Sequence, residues 1–257
     1  MSPSTLTIRG PLPSNMNPGL SPATQATMLG LLGNPRDTFS HACQPITNKL
    51  LKSLIVVDDV GPFRIQGLRP AIESLKEVMA AIREQEPDVF QVIGTAGMLC
   101  ARFVTGSEVS ISNHSWGTAI DITIDGVLDV RGNRKAQKGL RLIAPLFNVH
   151  GWFWGAAFPT EDSMHFEVSD ETIRQWQREG KFNNTTASPL PEHILSLGDR
   201  GPKVSELQTL LNKSGAQLAV DGIFGRATLA AVMAFQGAKG LTVDGVVGKL
   251  TLAALRA

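Results

Sequence analysis

Ser112-Asn113-His114-Ser115-Trp116-Gly117-Thr118-Ala119-Ile120-Asp121 is the stretch around which this chain is organised. An imidazole and a carboxylate stand seven residues apart, with a glycine and small side chains between them. Residues 118–124 (TAIDITI) alternate and are β-branched, which predicts a strand with Asp121 on one face. Gly117 is the expected turn into that strand, folding His114 back beside Asp121. A second acid-and-histidine run, Asp162-Ser163-Met164-His165-Phe166-Glu167, also precedes a β-type stretch. Three N/O ligands from separate segments, with one position left open, are what a catalytic zinc requires. His114, Asp121 and His165 are the candidate ligands.

Working outward, 257 residues are long for one compact domain and comfortable for two. With 42% hydrophobic residues, 18% charged and a formal charge of +1, the chain reads as soluble and globular. There is no basic run and no tyrosine to stack on bases, so a nucleic-acid partner is not expected. Cys43 and Cys100 read as two reduced, buried thiols, with a single disulfide as the alternative. Residues 1–13 carry one arginine, three prolines and no apolar core of signal-peptide length. The apolar piece at 28–32 is far too short to span a membrane.

Upstream of the central stretch, residues 1–38 read as an irregular lead-in with one short helix. Ser21-Pro22 is its expected start, Met28, Leu31 and Leu32 its apolar face, and Gly33 its stop. Residues 54–60 and 63–68 read as a hairpin around Gly61-Pro62. Pro70 opens an amphipathic helix to about Glu84, with Ile72, Leu75, Met79 and Ile82 inward. Residues 90–95 read as a core strand. Downstream, Asp125-Gly126 marks a turn. Residues 137–147 form a helix whose last turn Pro145 should kink or displace. Ser169 or Asp170 should cap a last helix ended by Gly180. Strands and helices without regular alternation predict an α+β domain, a small antiparallel sheet with flanking helices, over 39–181.

Residues 182–194 have linker composition, semi-stiff through two prolines. Beyond them the chain repeats itself. DGIFGRATLAAV, starting at Asp221, is echoed 23 residues later by DGVVGKLTLAAL, starting at Asp244. With the helix expected over 202–213, this predicts a three-helix module over 195–257.

That module (LGDRGPKVSELQTLL, DGIFGRATLAAVMAFQ, GLTVDGVVGKLTLAAL) resembles the peptidoglycan-binding module of bacterial and phage wall hydrolases. The resemblance implies bacterial peptidoglycan as the partner. Seven Lys and Arg against four Asp and Glu over 195–257 suit an anionic wall, or simply a solvated surface. The upstream motifs resemble the zinc D-alanyl-D-alanine carboxypeptidase and L-alanyl-D-glutamate endopeptidase family, in its phage endolysin type. That family reads S-x-H-x-x-G-x-A-x-D, followed later by an acid three residues before the second histidine. Ser112, His114, Gly117, Ala119 and Asp121 match the first motif, and Asp162, His165, Phe166 and Glu167 the second. The resemblance implies Zn2+ held by His114, Asp121 and His165, with Asp162 as the base and Glu161 as its rival. It also implies an arginine for the developing oxyanion. Arg102 is the candidate, with a structural ion pair as the alternative. Ser112 is expected to contact substrate, orient the site or cap a turn. Trp116, Trp152 and Trp154 are candidates for the floor of a substrate groove or for core packing.

The expected activity is cleavage of the stem peptide by zinc-activated water, first at the L-alanyl–D-glutamate bond. A D,D-carboxypeptidase and a non-catalytic wall-binding protein are the alternatives. A monomer held in the host cytoplasm without a signal peptide, and released through a holin pore, fits the leader-free amino terminus.

Overall fold

The computed structural model describes residues 3–182 and 195–256. In chain order, α1 (Pro3–Leu6), β1 (Arg9–Pro11), α2 (Gln25–Leu32) and α3 (Lys49–Leu54) precede a hairpin, β2 (Ile55–Asp59) and β3 (Arg64–Leu68). Then come α4 (Arg69–Gln85), α5 (Pro87–Phe90), β4 (Ile93–Gly97), β5 (Ala119–Ile124) and β6 (Lys135–Gln137). α6 (Lys138–Val149), β7 (Trp152–Trp154), β8 (His165–Val168) and α7 (Asp170–Arg178) complete the first part. The second part is α8 (Pro202–Lys213), α9 (Arg226–Ala238) and α10 (Lys249–Arg256). The expected linker lies outside the described residues, apart from Phe182. The architecture is α+β.

The central sheet runs β4-β5-β8-β7, antiparallel throughout. Strand alternation decides what each face carries. Ile120, Ile122, Ile124, Phe166 and Val168 enter the core, where α6 supplies Leu140, Ile143 and Phe147 and α4 supplies Ile72, Leu75, Met79 and Ile82. Phe147 stacks on Phe166 at 4.0 Å between ring centroids. Each such side chain removed from water contributes roughly 1.5–3 kcal/mol. The opposite face is left to Asp121, His165 and Glu167, and the register sets Asp121 directly across from His165.

Several local expectations shift. Residues 90–95 do not form one strand: α5 ends at Phe90 and β4 begins at Ile93. α6 continues past Pro145 to Val149, so its last turn is not displaced. Pro145 itself is exposed. Cys43 and Cys100 are not buried thiols. Cys43 is exposed, Cys100 half-buried, and the two form a disulfide with Cα atoms 5.2 Å apart.

The lead-in is the largest correction, because it is neither irregular nor peripheral. β1 pairs with β6, and the Arg9 guanidinium reaches the buried Asp129 carboxylate at 2.5 Å. Asn17 is buried and completes the edge of β7, donating to the Trp154 carbonyl at 3.0 Å and accepting from its N–H at 2.7 Å. Helix α2 is capped by Thr24 rather than Ser21, and Thr27 donates to Asp170 at the start of α7.

In the second part, Val204, Leu207, Leu211, Phe224, Val232 and Val247 form a separate small core. Its two Asp-Gly turns are closed by the same device. Gln208 donates through Nε2 to Asp221, the Ile223 carbonyl and Thr228, and accepts from Gly222 N–H. Gln236 does the same with Asp244, the Val246 carbonyl, Thr251 and Gly245 N–H. Buried amides satisfied at both ends fix a turn more firmly than its glycine alone.

Candidate metal centre

His114 lies in a 3-10 turn, Asn113–Trp116, that Gly117 ends in the left-handed region at φ 68°. A side chain at Gly117 would stand 2.8 Å from the Leu68 backbone nitrogen, which donates to the Gly117 carbonyl. Only glycine fits that contact and that dihedral angle. The turn brings His114 Nε2 to 3.3 Å from Asp121 Oδ1, and β8 brings His165 Nδ1 to 3.1 Å from the same oxygen. One ligand atom from each of the three residues lies within 4.8 Å of the other two.

The remaining ring nitrogens are held from behind. His114 Nδ1–H donates to the Met98 carbonyl at 2.9 Å, and His165 Nε2–H to Glu167 Oε2 at 3.0 Å. This fixes each ring and leaves His114 Nε2 and His165 Nδ1 facing Asp121. His114 Nε2 is buried without a hydrogen-bond partner among the described residues. An orphaned imidazole nitrogen, a second imidazole and a carboxylate converging on one point fit a divalent cation of the zinc type.

Burial raises the pKa of Asp121, but the close His114 and His165 rings outweigh that and hold it far below the usual carboxylate range. Burial also lowers the pKa of His165, yet Asp121 and Glu167 together push it up to about 10.

Asp162 stands beside this group, with Oδ1 buried and unpartnered among the described residues and Oδ2 3.3 Å from Arg131 Nε. Burial, with Asp121 and Glu161 adding to it, raises its pKa from 3.8 against the opposing pull of His165 and Arg131. Glu161 points the other way. Its carboxylate is 4% exposed and accepts from Arg134 N–H, Ser163 N–H and Ser163 Oγ–H, so it organises the loop and faces no ligand atom.

Residues 105–168 match the D-alanyl-D-alanine carboxypeptidase family, and residues 200–255 match the putative peptidoglycan-binding domain. The peptidase match contains His114, Asp121, Asp162 and His165, while Arg102 lies just outside it. No curated protein matches the chain. Among solved structures, a Burkholderia AP3 phage endolysin is 51% identical over 25% of this chain and 25% of its own, with a TM-score of 0.25. The SleB N-terminal domain is 38% identical over 25% of this chain and 89% of its own, TM-score 0.25. A fused Zn-dependent amidase/peptidase/peptidoglycan-binding protein from Clostridium acetobutylicum is 34% identical over 25% and 29%, TM-score 0.25. The chain thus spans only a quarter of the endolysin's length.

Around this centre a cleft of about 620 Å³ is lined by Arg102, Ser112, Arg131, Phe158 and Asp162 among others. Arg102 makes no ion pair among the described residues; its guanidinium donates to the Phe103 carbonyl at 3.3 Å and borders the cleft. Ser112 is buried at the cleft wall and precedes the His114 turn. Trp116 does not floor the groove. It is fully buried, and its Nε1–H donates to the Gly33 carbonyl at the end of α2. Trp152 and Trp154 are likewise core residues, donating to Ser74 Oγ and the Ser163 carbonyl. The aromatic that does face the centre is Phe158, 5.7 Å from the His165 ring. No sequence pattern marked it, or Arg131.

Proposed function

We propose that this chain is a peptidoglycan hydrolase that cuts stem peptides with zinc held by His114, Asp121 and His165. The preferred bond is L-alanyl–D-glutamate, in keeping with an aspartate rather than a glutamate three residues before His165. The observation that carries the reading is the convergence of three ligand atoms within 4.8 Å beside an acid with a free buried oxygen. The module at 200–255 supplies the reason for a wall substrate.

Zinc at this position supplies Lewis acidity, polarising the scissile carbonyl and making water a nucleophile at neutral pH. The chain's own residues do the rest. Asp162 Oδ1 accepts the proton from the attacking water and returns it to the departing nitrogen, and its raised pKa suits both directions. Arg102, on the cleft wall, is the donor for the developing oxyanion. Met98 and Glu167 hold the two imidazoles so that neither ring has to reorient. Ser112 fixes the turn from which His114 projects, through its carbonyl accepting Ser115 N–H.

The test is digestion of purified wall with and without a chelator, following turbidity and released amines. Chelator-sensitive release is expected, with new amino-terminal D-glutamate in the mass spectrum of the digest. Free D-alanine instead would reassign the bond to a D,D-carboxypeptidase. Binding to wall without any release would leave only the wall-binding reading. Residence in a host cytoplasm with holin-dependent release is part of the same proposal, and passage of the protein alone across an intact inner membrane would refute it.

A further inference from the structure

We propose that Arg131 is the receptor for the free α-carboxylate on the residue released with the new amine, and that it sets the cleft's substrate choice. This rests on the peptidase reading above.

The loop joining β5 to β6 is built to present this side chain. On one side of it, Val130 N–H donates to Asp129, whose buried carboxylate also holds Arg9 and Gln137 N–H. On the other, Gly132 N–H donates to the Glu161 carbonyl and Arg134 N–H to the Glu161 carboxylate. Two buried acids therefore pin the backbone on both sides of residue 131, and neither faces the cleft ligands. The guanidinium between them lines the cleft, with its side chain 35% exposed. Among the described residues its only ion pair is Nε to Asp162 Oδ2, at 3.3 Å. A guanidinium carries five donors in a planar fork, so one long contact leaves most of that fork for a ligand.

The chemistry of the substrate says which ligand. In L-alanyl–D-glutamate the chain continues through the γ-carboxyl, so the glutamate α-carboxylate is free. In D-alanyl-D-alanine the terminal carboxylate is free. Either way, the carbon bearing the departing nitrogen also bears a carboxylate. The acid that protonates that nitrogen must come within roughly 2.6–3.2 Å of it, which brings the substrate carboxylate close to the same acid. Two carboxylates side by side repel unless a cation stands between them. Arg131, already paired with Asp162, occupies that place. Bidentate pairing to a carboxylate is also what a planar fork does best. The assignment holds for either bond, and it makes an amidated substrate a poor one, because the amide nitrogen would present donors to donors.

The experiment uses zinc-loaded full-length protein and two synthetic stem peptides that differ only in carrying α-carboxylate or α-carboxamide on the released residue. Wild type is expected to prefer the acid on the order of 10²-fold in kcat/KM. Arg131→Gln should lose most of that preference, chiefly through slower turnover of the acid peptide, with zinc content and melting temperature retained. Arg131→Lys should keep part of it. Absence of a preference in wild type, or an unchanged preference in Arg131→Gln, overturns the assignment alone. Cleavage of neither peptide by zinc-loaded wild type overturns the peptidase reading and this assignment with it.

Discussion

Stripping the metal and titrating it back at several pH values tests the centre most directly. The His165 ring sits between Asp121 Oδ1 at 3.1 Å and Glu167 Oε2 at 3.0 Å. Burial opposes its charge, but the two carboxylates prevail and carry its pKa up to about 10. At pH 7.5 most of these rings then hold the second proton. A metal takes the lone pair that the proton occupies, so the proton must leave on binding. About one proton per zinc is expected from this residue, and affinity should rise about tenfold per pH unit between pH 7 and 9, or ~1.4 kcal/mol per unit. The stability of the stripped protein should run the opposite way. A raised histidine pKa stabilises fully below the unfolded value of 6.5 and loses that contribution as pH climbs through about 10. Isothermal titration calorimetry at one pH in buffers of different ionisation enthalpy reads the proton count as a slope. A slope near zero, with affinity flat from pH 7 to 9, would refute the reasoning.

Replacing Asp162 by Asn should lower kcat by about 10²–10⁴-fold while zinc content is unchanged, and metal analysis beside steady-state rates checks both. Because burial raises the Asp162 pKa, the acid limb of the wild-type kcat/KM profile should fall above pH 3.8, with activity rising as the carboxyl ionises. Gln208→Ala and Gln236→Ala should each destabilise the carboxy-terminal module by about 1–3 kcal/mol, because each strands a buried turn N–H. Denaturant melts showing one of them silent would end the equivalence of the two turns. Opening the Cys43–Cys100 bridge, which spans 57 residues, should cost about 4 kcal/mol by chain entropy, measurable in urea with and without reductant.

What could be read from the sequence was what is encoded locally. The His114–Asp121 spacing, the Gly117 turn and the alternation of 118–124 each act within a few residues, and the structure brings those side chains together. The amphipathic helix α4 and the hairpin before it follow from period and turn chemistry alone. Features that failed to show depend on partners far along the chain. Whether Trp116 faces substrate or core is decided by the Gly33 carbonyl, 83 residues away. Arg131 belongs to no motif, since its placement comes from Asp129 and Glu161 rather than from its own neighbours. Between the adjacent acids Glu161 and Asp162, sequence favoured the second, and the geometry adds a physical contrast: one carboxylate is saturated by the loop, the other has an oxygen to spare. Two cysteines carry no spacing signal, so sequence favoured reduced thiols at Cys43 and Cys100, and the bridge between them is found only in the fold.

The stitched amino-terminal segment bears on how this protein is made. Arg9 waits for Asp129, Asn17 for Trp154 and Ser21 for Glu171, separations of 120, 137 and 150 residues. Leu6, Met28 and Leu32, which end up almost completely enclosed, are therefore made well before the partners that fix their segment in place. Such distant pairings close slowly, because loop entropy is spent before any contact rewards it. Docking of this segment is thus expected late in the assembly of the amino-terminal part, and until then the polypeptide offers exposed apolar surface to chaperones and proteases alike.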